Sequence, residues 1–221
     1  MRHYIFIGVD YQVGFCEGGS LPVEGGKKAV GAASKLLNYK SDDEQFIKEA
    51  IWTKDAHPVY HCSFKDVNPK TGLWPVHCVE HTVDGAIMDP LIMDCAKNKI
   101  PYGVVGKGQN IDEENYTAFR FVFRNGDMYT YSLAPNFDPT TNTLDFIQDH
   151  EDDEEHYNEL IIGGIAGDYC VLETVKAFID MDPIIYLPGI ASIDGGKAIN
   201  EYIKDHHLRV MDESFNIKRA E

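Results

Sequence analysis

Short apolar runs rich in β-branched and aromatic residues recur along the chain at 4–9, 46–53, 102–105, 160–164 and 184–187, and each reads as a buried strand. Between them, segments 27–37, 90–96, 143–150, 171–181 and 195–206 place apolar residues three and four apart, the spacing that lines one face of a helix. A last strand is predicted at 208–211. Strands alternating with helices require right-handed crossovers, which cover both faces of a mostly parallel sheet. The pattern therefore predicts an α/β fold, a doubly wound three-layer α/β/α sandwich. Two stretches break the rhythm. One is 120–133, where Arg124-Asn125-Gly126-Asp127 has the chemistry of a hairpin turn; the other is the acidic run 149–159, which reads as a solvated helix end or loop.

A length of 221 residues suits one folding unit, so a single domain over 1–221 with a hairpin elaboration at 120–133 is expected. The net charge of -16, from 36 acidic against 20 basic residues, repels phosphate backbones and anionic lipid, which argues against nucleic acid or membrane partners. The first apolar run ends at Asp10, too soon for a signal peptide or a spanning helix, so a soluble, cytoplasmic protein is expected. Cys16, Cys62, Cys78, Cys95 and Cys170 are odd in number and form no CxxC pair, which makes a disulfide framework an unattractive reading.

Chemistry collects where strands end. Asp10, the Asp55 and His57 pair, Lys107 and Cys170 each follow a predicted strand, and the crevice outside the carboxyl ends of an open parallel sheet is where ligands bind. Cys170 closes the glycine-rich turn Gly163-Gly164-Ile165-Ala166-Gly167-Asp168-Tyr169 at a helix start, where N–H groups and the helix dipole are expected to favour thiolate and could hold an oxyanion. A packed structural cysteine is the alternative. Asp10 emerges from Tyr4-Ile5-Phe6-Ile7-Gly8-Val9; burial should raise its pKa and a nearby lysine lower it, as suits a general base, whereas a helix cap is the plainer reading. Lys107, between glycines, could orient Asp10 and offset the oxyanion.

Asp55-Ala56-His57 puts two donors on one side of an extended backbone, with His77 and His61 further along. A carboxylate with imidazoles suits zinc, iron or manganese, and three protein ligands leave coordination positions open for substrate. Cys78 as a fourth ligand would instead close a structural zinc site.

These residues follow one another in a familiar order. Asp10-Tyr11-Gln12, Phe15-Cys16, Gly18-Gly19-Ser20-Leu21, Asp55-Ala56-His57-Pro58, His61, Ser63-Phe64, Trp74-Pro75-Val76-His77-Cys78-Val79, Lys107-Gly108, Tyr116-Thr117-Ala118-Phe119 and the glycine-rich turn into Cys170 resemble the nicotinamidase/pyrazinamidase branch of the isochorismatase-like cysteine hydrolases over most of the chain. The metal motif with Trp74 separates this branch from metal-free relatives. The resemblance implies hydrolysis of nicotinamide to nicotinic acid and ammonia through a thioester on Cys170, in NAD salvage. It implies Asp10, Lys107 and Cys170 as catalytic residues, the N–H groups of Ala166 and Cys170 as oxyanion hole, and Phe15, Trp74 and Tyr116 against the substrate. One divalent metal, zinc ahead of iron or manganese, would sit on Asp55, His57 and His77, with His61 as a fourth ligand or a support. A cis peptide at Ile165-Ala166 is implied too.

The sequence departs from the family pattern at two positions: an acidic residue is usual where Gly14 stands, and a glycine where His81 stands. Two other readings stay open. One is a sister amidase for a carbamoyl or ureido substrate, which would not need the metal; the other is a zinc-binding module without turnover. Activity on pyrazinamide and assembly into a homo-oligomer, with 120–133 as a rim or subunit contact, are also left open.

Overall fold

The computed structural model describes residues 2–124, 127–132 and 157–221. In chain order the elements are β1 (Arg2–Val9), α1 (Gly26–Leu37), a small ribbon of β2 (Lys40–Ser41) and β3 (Glu44–Gln45), then β4 (Ile47–Asp55), α2 (Asp89–Asn98) and β5 (Tyr102–Lys107). A hairpin of β6 (Phe119–Arg124) and β7 (Asp127–Ser132) follows, then β8 (Tyr157–Ile165), α3 (Cys170–Ala177), β9 (Ile184–Ala191), α4 (Lys197–Asp205), β10 (Arg209–Met211) and β11 (Ile217–Arg219). Seven strands form the central sheet in the order β11-β10-β9-β8-β1-β4-β5. All pairs are parallel except β10 with β11.

The unbroken apolar strands follow from burial on both faces. In β1 the period of two sends Ile5, Ile7 and Val9 to one side and Phe6 to the other. The Phe6 side packs Trp52, Ile161 and Tyr186 against Ala33, Leu36 and Leu37 of α1 and Leu91 and Cys95 of α2. The Ile5 side packs Ile162 and Ile185 against Val171 and Val175 of α3 and Ile199 and Ile203 of α4. Three layers result, as the alternation predicts.

The chain leaves β1 for β4 on one side and returns to β8 on the other, so the crossovers diverge at the carboxyl end of β1. That divergence opens the crevice in which the candidate site lies.

Several boundaries differ from the sequence expectation. The helix predicted over 171–181 ends as α-helix at Ala177, and a 3-10 turn at Ile179–Met181 takes over. The last residues of the acidic run, 157–159, are strand, paired with Arg2, His3 and Tyr4, because β1 needs a parallel partner along its whole length. Strand β11 was not predicted: Ile217-Lys218-Arg219 carries too little apolar signal, and it forms by pairing with β10. In the hairpin Arg124 lies opposite Asp127, while Asn125 and Gly126, the helix expected at 143–150 and the acidic stretch 149–156 lie outside the described residues. Among the described residues no helix is long and apolar enough to cross a membrane.

Candidate active site

One ammonium group ties the strand ends together. Asp55 and Lys107 are the last residues of neighbouring strands and lie opposite each other in the β4–β5 register. Lys107 Nζ donates to Asp55 Oδ1, lies 2.8 Å from Asp10 Oδ2 and 3.5 Å from Cys170 Sγ. Asp10 follows β1 directly in a left-handed conformation (φ 50°), and the Thr53 hydroxyl donates to its Oδ1 at 2.6 Å. Lys107 is 1% exposed and Asp10 fully buried. A lysine at that depth stays charged only because carboxylates surround it.

The electrostatics follow from this packing. Burial pushes the Asp10 carboxyl above its ordinary range, Lys107 pulls against that, and the charge of Asp55 adds to the rise. Asp55 is buried as well, yet Lys107, helped by His57 and His77, holds its pKa below the usual range. Burial works against the charge of Lys107, but Asp10 and Asp55 raise its pKa well above normal. For Cys170 the helix-start expectation is reversed. The sulfur does begin α3, but burial drives its pKa well up, Lys107 offsets only part of this, and Asp10 and Asp55 push the same way. This packing favours the thiol over the thiolate, so the sulfur calls for a base beside it.

Beside this cluster lie three converging donors. His57 Nδ1 bonds the Gly108 carbonyl at 2.9 Å, and His77 Nδ1 bonds the Pro75 carbonyl at 2.8 Å. Each carbonyl fixes the proton on Nδ1 and leaves Nε2 with a bare lone pair, the arrangement that prepares imidazole for a metal. The two Nε2 atoms lie 3.5 and 3.8 Å from Asp55 Oδ2. His57 Nε2 is buried without a hydrogen-bond partner among the described residues, a costly state unless a cation is bound there. Asp55, His57 and His77 offer ligand atoms within 4.8 Å of one another, so the residues fit a divalent ion. The Gln12 amide grips both backbone groups of Asp55, at 2.8 Å to its carbonyl and 2.7 Å from its N–H, and holds the carboxylate in register.

His61 stacks on His57, with ring centroids 4.1 Å apart, while its own nitrogens bond Ser63 Oγ at 2.8 Å and the Glu113 carbonyl at 3.1 Å. Cys78 is buried and belongs to none of the donor groups found among the described residues.

Cys170, Ala166, Asp55 and His77 line one small cavity together with Phe15, Trp74 and Tyr116. A wider surface groove beside α4, lined by Leu187, Ser192 and Asn200, holds none of these groups. The sequence reading missed Glu114, Tyr169, Leu21, Val23 and Ile193, which also line the cavity. Tyr169 sets its ring edge-on to Trp74 at 5.1 Å and lies 5.3 Å from Tyr116, so it fixes both. Its place next to Cys170 was the available signal. The Ile165-Ala166 peptide is cis, as expected.

Both departures from the family pattern have physical counterparts. A Cβ at Gly14 would come 2.7 Å from Asp84 Oδ2 and 2.8 Å from Cys78 Sγ, so a carboxylate from another loop already fills that space. Asp84 accepts from the Ser20 hydroxyl and N–H and from the Cys78 N–H, tying the Phe15 loop to the His77 loop. His81 sits at φ 65°, the left-handed region that favours glycine, and its side chain is exposed.

No family model matches the chain. The Escherichia coli nicotinamidase is 33% identical over 93% of this chain and 88% of its own. A pyrazinamidase of Pyrococcus horikoshii in complex with zinc superposes with a TM-score of 0.68 at 21% identity, covering 95% of this chain and 99% of that one. The yeast nicotinamidase bound to the inhibitor nicotinaldehyde gives a TM-score of 0.70 at 22% identity over 95% and 99% of the two chains. These superpositions establish the fold, and the bacterial match over nearly the full length establishes the family: the chain belongs to the nicotinamidases of the isochorismatase-like hydrolases.

Proposed function

We propose that this protein hydrolyses nicotinamide to nicotinic acid and ammonia through a thioester on Cys170, with zinc on Asp55, His57 and His77. The observation that carries the reading is the ammonium of Lys107 touching Asp10, Asp55 and Cys170, which ties the buried base to the nucleophile and the metal carboxylate that line one cavity. The cavity suits one flat ring seated by Phe15, Trp74 and Tyr116. A divalent ion held there supplies a Lewis-acid anchor for the ring nitrogen.

Asp10 takes the Cys170 proton as sulfur attacks the carboxamide carbon, so no free thiolate needs to accumulate in the buried site. We assign the oxyanion to the N–H groups of Ala166, in the turn that follows β8, and of Cys170, the first residue of α3, while Lys107 keeps Asp10 charged until it acts. Asp10 then gives the proton to the departing nitrogen, which leaves as ammonia, draws one from the water that cleaves the thioester, and returns it to the released Cys170 sulfur. Neither half-reaction needs a second base. Five unpaired thiols fit a reducing, cytoplasmic setting.

Two results test this. The working form of Asp10 is the carboxylate, and its pKa is raised, so activity is present above that pKa and lost as pH falls through it. The acid limb of kcat/KM for nicotinamide should therefore lie above the ordinary carboxylate value of about 4. A limb at or below that value would count against Asp10 as base. For the metal, His57→Ala should lower kcat/KM at least about 100-fold, matched by chelation of the wild-type protein and reversed by added zinc. Nicotinamide turnover that survives both treatments would remove the metal-anchored pose and favour a carbamoyl or ureido substrate.

A further inference from the structure

The catalytic cavity shares a boundary with the wide groove beside α4. Val23 and Ile193 line both spaces, so these two side chains belong to the partition between them. Val23 is buried, and its N–H donates to the Phe15 carbonyl at 3.0 Å, which makes it part of the packed core. Ile193 is 50% exposed, so where its side chain sits depends on how its backbone is held.

That backbone is fixed from two sides. Asp168, in the turn that leads into Cys170, accepts the Ile193 N–H at 2.9 Å on one carboxylate oxygen and the Asp194 N–H at 3.1 Å on the other. The Gly167 N–H donates to the Ala191 carbonyl at 2.8 Å, and a Cβ at Gly167 would come 2.1 Å from Ser192 Oγ, so a glycine is needed for the two segments to lie this close. On the far side the Asp194 carboxylate accepts the N–H groups of Gly196, Lys197 and Ala198 at 2.8, 3.1 and 2.7 Å, which ties the segment to the start of α4. The turn that presents the nucleophile therefore also sets this wall of the cavity.

We infer that Ile193 is a specificity-determining residue, the wall that limits the size of ring the cavity accepts, and that Asp168 is the residue that positions it. This rests on the nicotinamidase reading above and narrows its substrate class. Small pyridine carboxamides are accepted, whereas fused or substituted rings are refused because Ile193 closes the way into the groove. Trimming Ile193 joins the two spaces and gives a ring substituent somewhere to go.

The test compares kcat/KM for nicotinamide with that for 5-methylnicotinamide, 6-methylnicotinamide and quinoline-3-carboxamide, using the zinc-loaded full chain. In Ile193→Ala the ratio of at least one larger amide to nicotinamide should rise at least about 10-fold over wild type, since a few methylenes of room in an apolar pocket discriminate on that scale. Asp168→Asn keeps one acceptor oxygen but turns an amide N–H toward a backbone N–H, and should raise the same ratio at least about threefold. A merely structural role for Asp168 would instead lower kcat for every amide alike. Leu187→Ala, which enlarges the groove alone, should leave the ratio unchanged. Ratios within about twofold of wild type for every larger amide in Ile193→Ala would overturn the wall. A ratio that rises in Ile193→Ala but not in Asp168→Asn would overturn the positioning role. Dissociation constants for the same amides, measured by calorimetry in a Cys170→Ala background, give the ratio without turnover. Absence of nicotinamide turnover in the wild type would therefore count against the parent reading and leave the wall to be decided by binding.

Discussion

Replacing Cys170 with alanine should abolish ammonia release from nicotinamide, lowering kcat by more than about 10⁴-fold while the protein stays folded and still binds the amide. The sulfur lies 3.5 Å from Lys107, and among the described residues no other thiol lines the cavity. Losing one buried sulfur from the start of α3 removes little packing, since Val171 and Val175 carry the contact of that helix with the sheet. Calorimetric binding of nicotinamide to the variant, measured beside its activity, separates loss of chemistry from loss of structure. Cys170→Ser should stay inactive too: Asp10 is placed to take a proton from sulfur, and a hydroxyl is a much weaker acid. Residual turnover within 100-fold of wild type in Cys170→Ala would sink the thioester route, because water alone would then be doing the hydrolysis.

Why Cys170 could be singled out from sequence, and Glu114 could not, is instructive about what a chain displays. Asp10, Asp55 and Lys107 advertise themselves because each terminates a run of strand residues, and the parallel topology that brings strand ends together follows from the alternation of elements. Their convergence on one pocket is therefore legible in the sequence, whereas the contact of Lys107 with Asp55 is not. The thiol of Cys170 was misjudged because a helix start is a local feature, whereas burial and the two carboxylates that oppose it are set by the assembled fold. Glu114 and Asp84 lie in loops without periodicity, and only the packed structure reveals that one lines the cavity and the other occupies the space beside Gly14. Gln12 belongs with them, since its grip on the Asp55 backbone joins residues 43 positions apart. Among elements, the missed β11 exists through its pairing with β10 and not through its own three residues.

Lys107→Met should damage stability and activity together, and the pH dependence of the two distinguishes this lysine from an ordinary buried side chain. Removing the ammonium leaves Asp10 and Asp55 facing each other without compensation, a change that costs about 3–5 kcal/mol when one partner of a buried ionic cluster is lost. Turnover should fall about 10³-fold, because Asp10 then holds its proton and nothing steadies the sulfur as it is deprotonated. The sign of the pH effect follows from the carboxylates. In the wild type Lys107 depresses the Asp55 pKa, so this interaction stabilises the fold above the unfolded carboxylate pKa and fades as pH falls through the folded one. In the variant both carboxyls are buried without a cation, their folded pKa values rise, and the folded state gains on acidification. The gap in unfolding free energy between the two proteins, measured by denaturant in the presence of chelator, should therefore be widest near neutrality and narrow toward pH 4. Lys107→Arg keeps the charge and should recover stability more fully than turnover, since a planar guanidinium cannot meet Asp10, Asp55 and Cys170 in the same geometry. A gap that is constant with pH would mean that Lys107 contributes through packing alone, and the coupling of base, nucleophile and metal carboxylate through one ammonium would have to be abandoned.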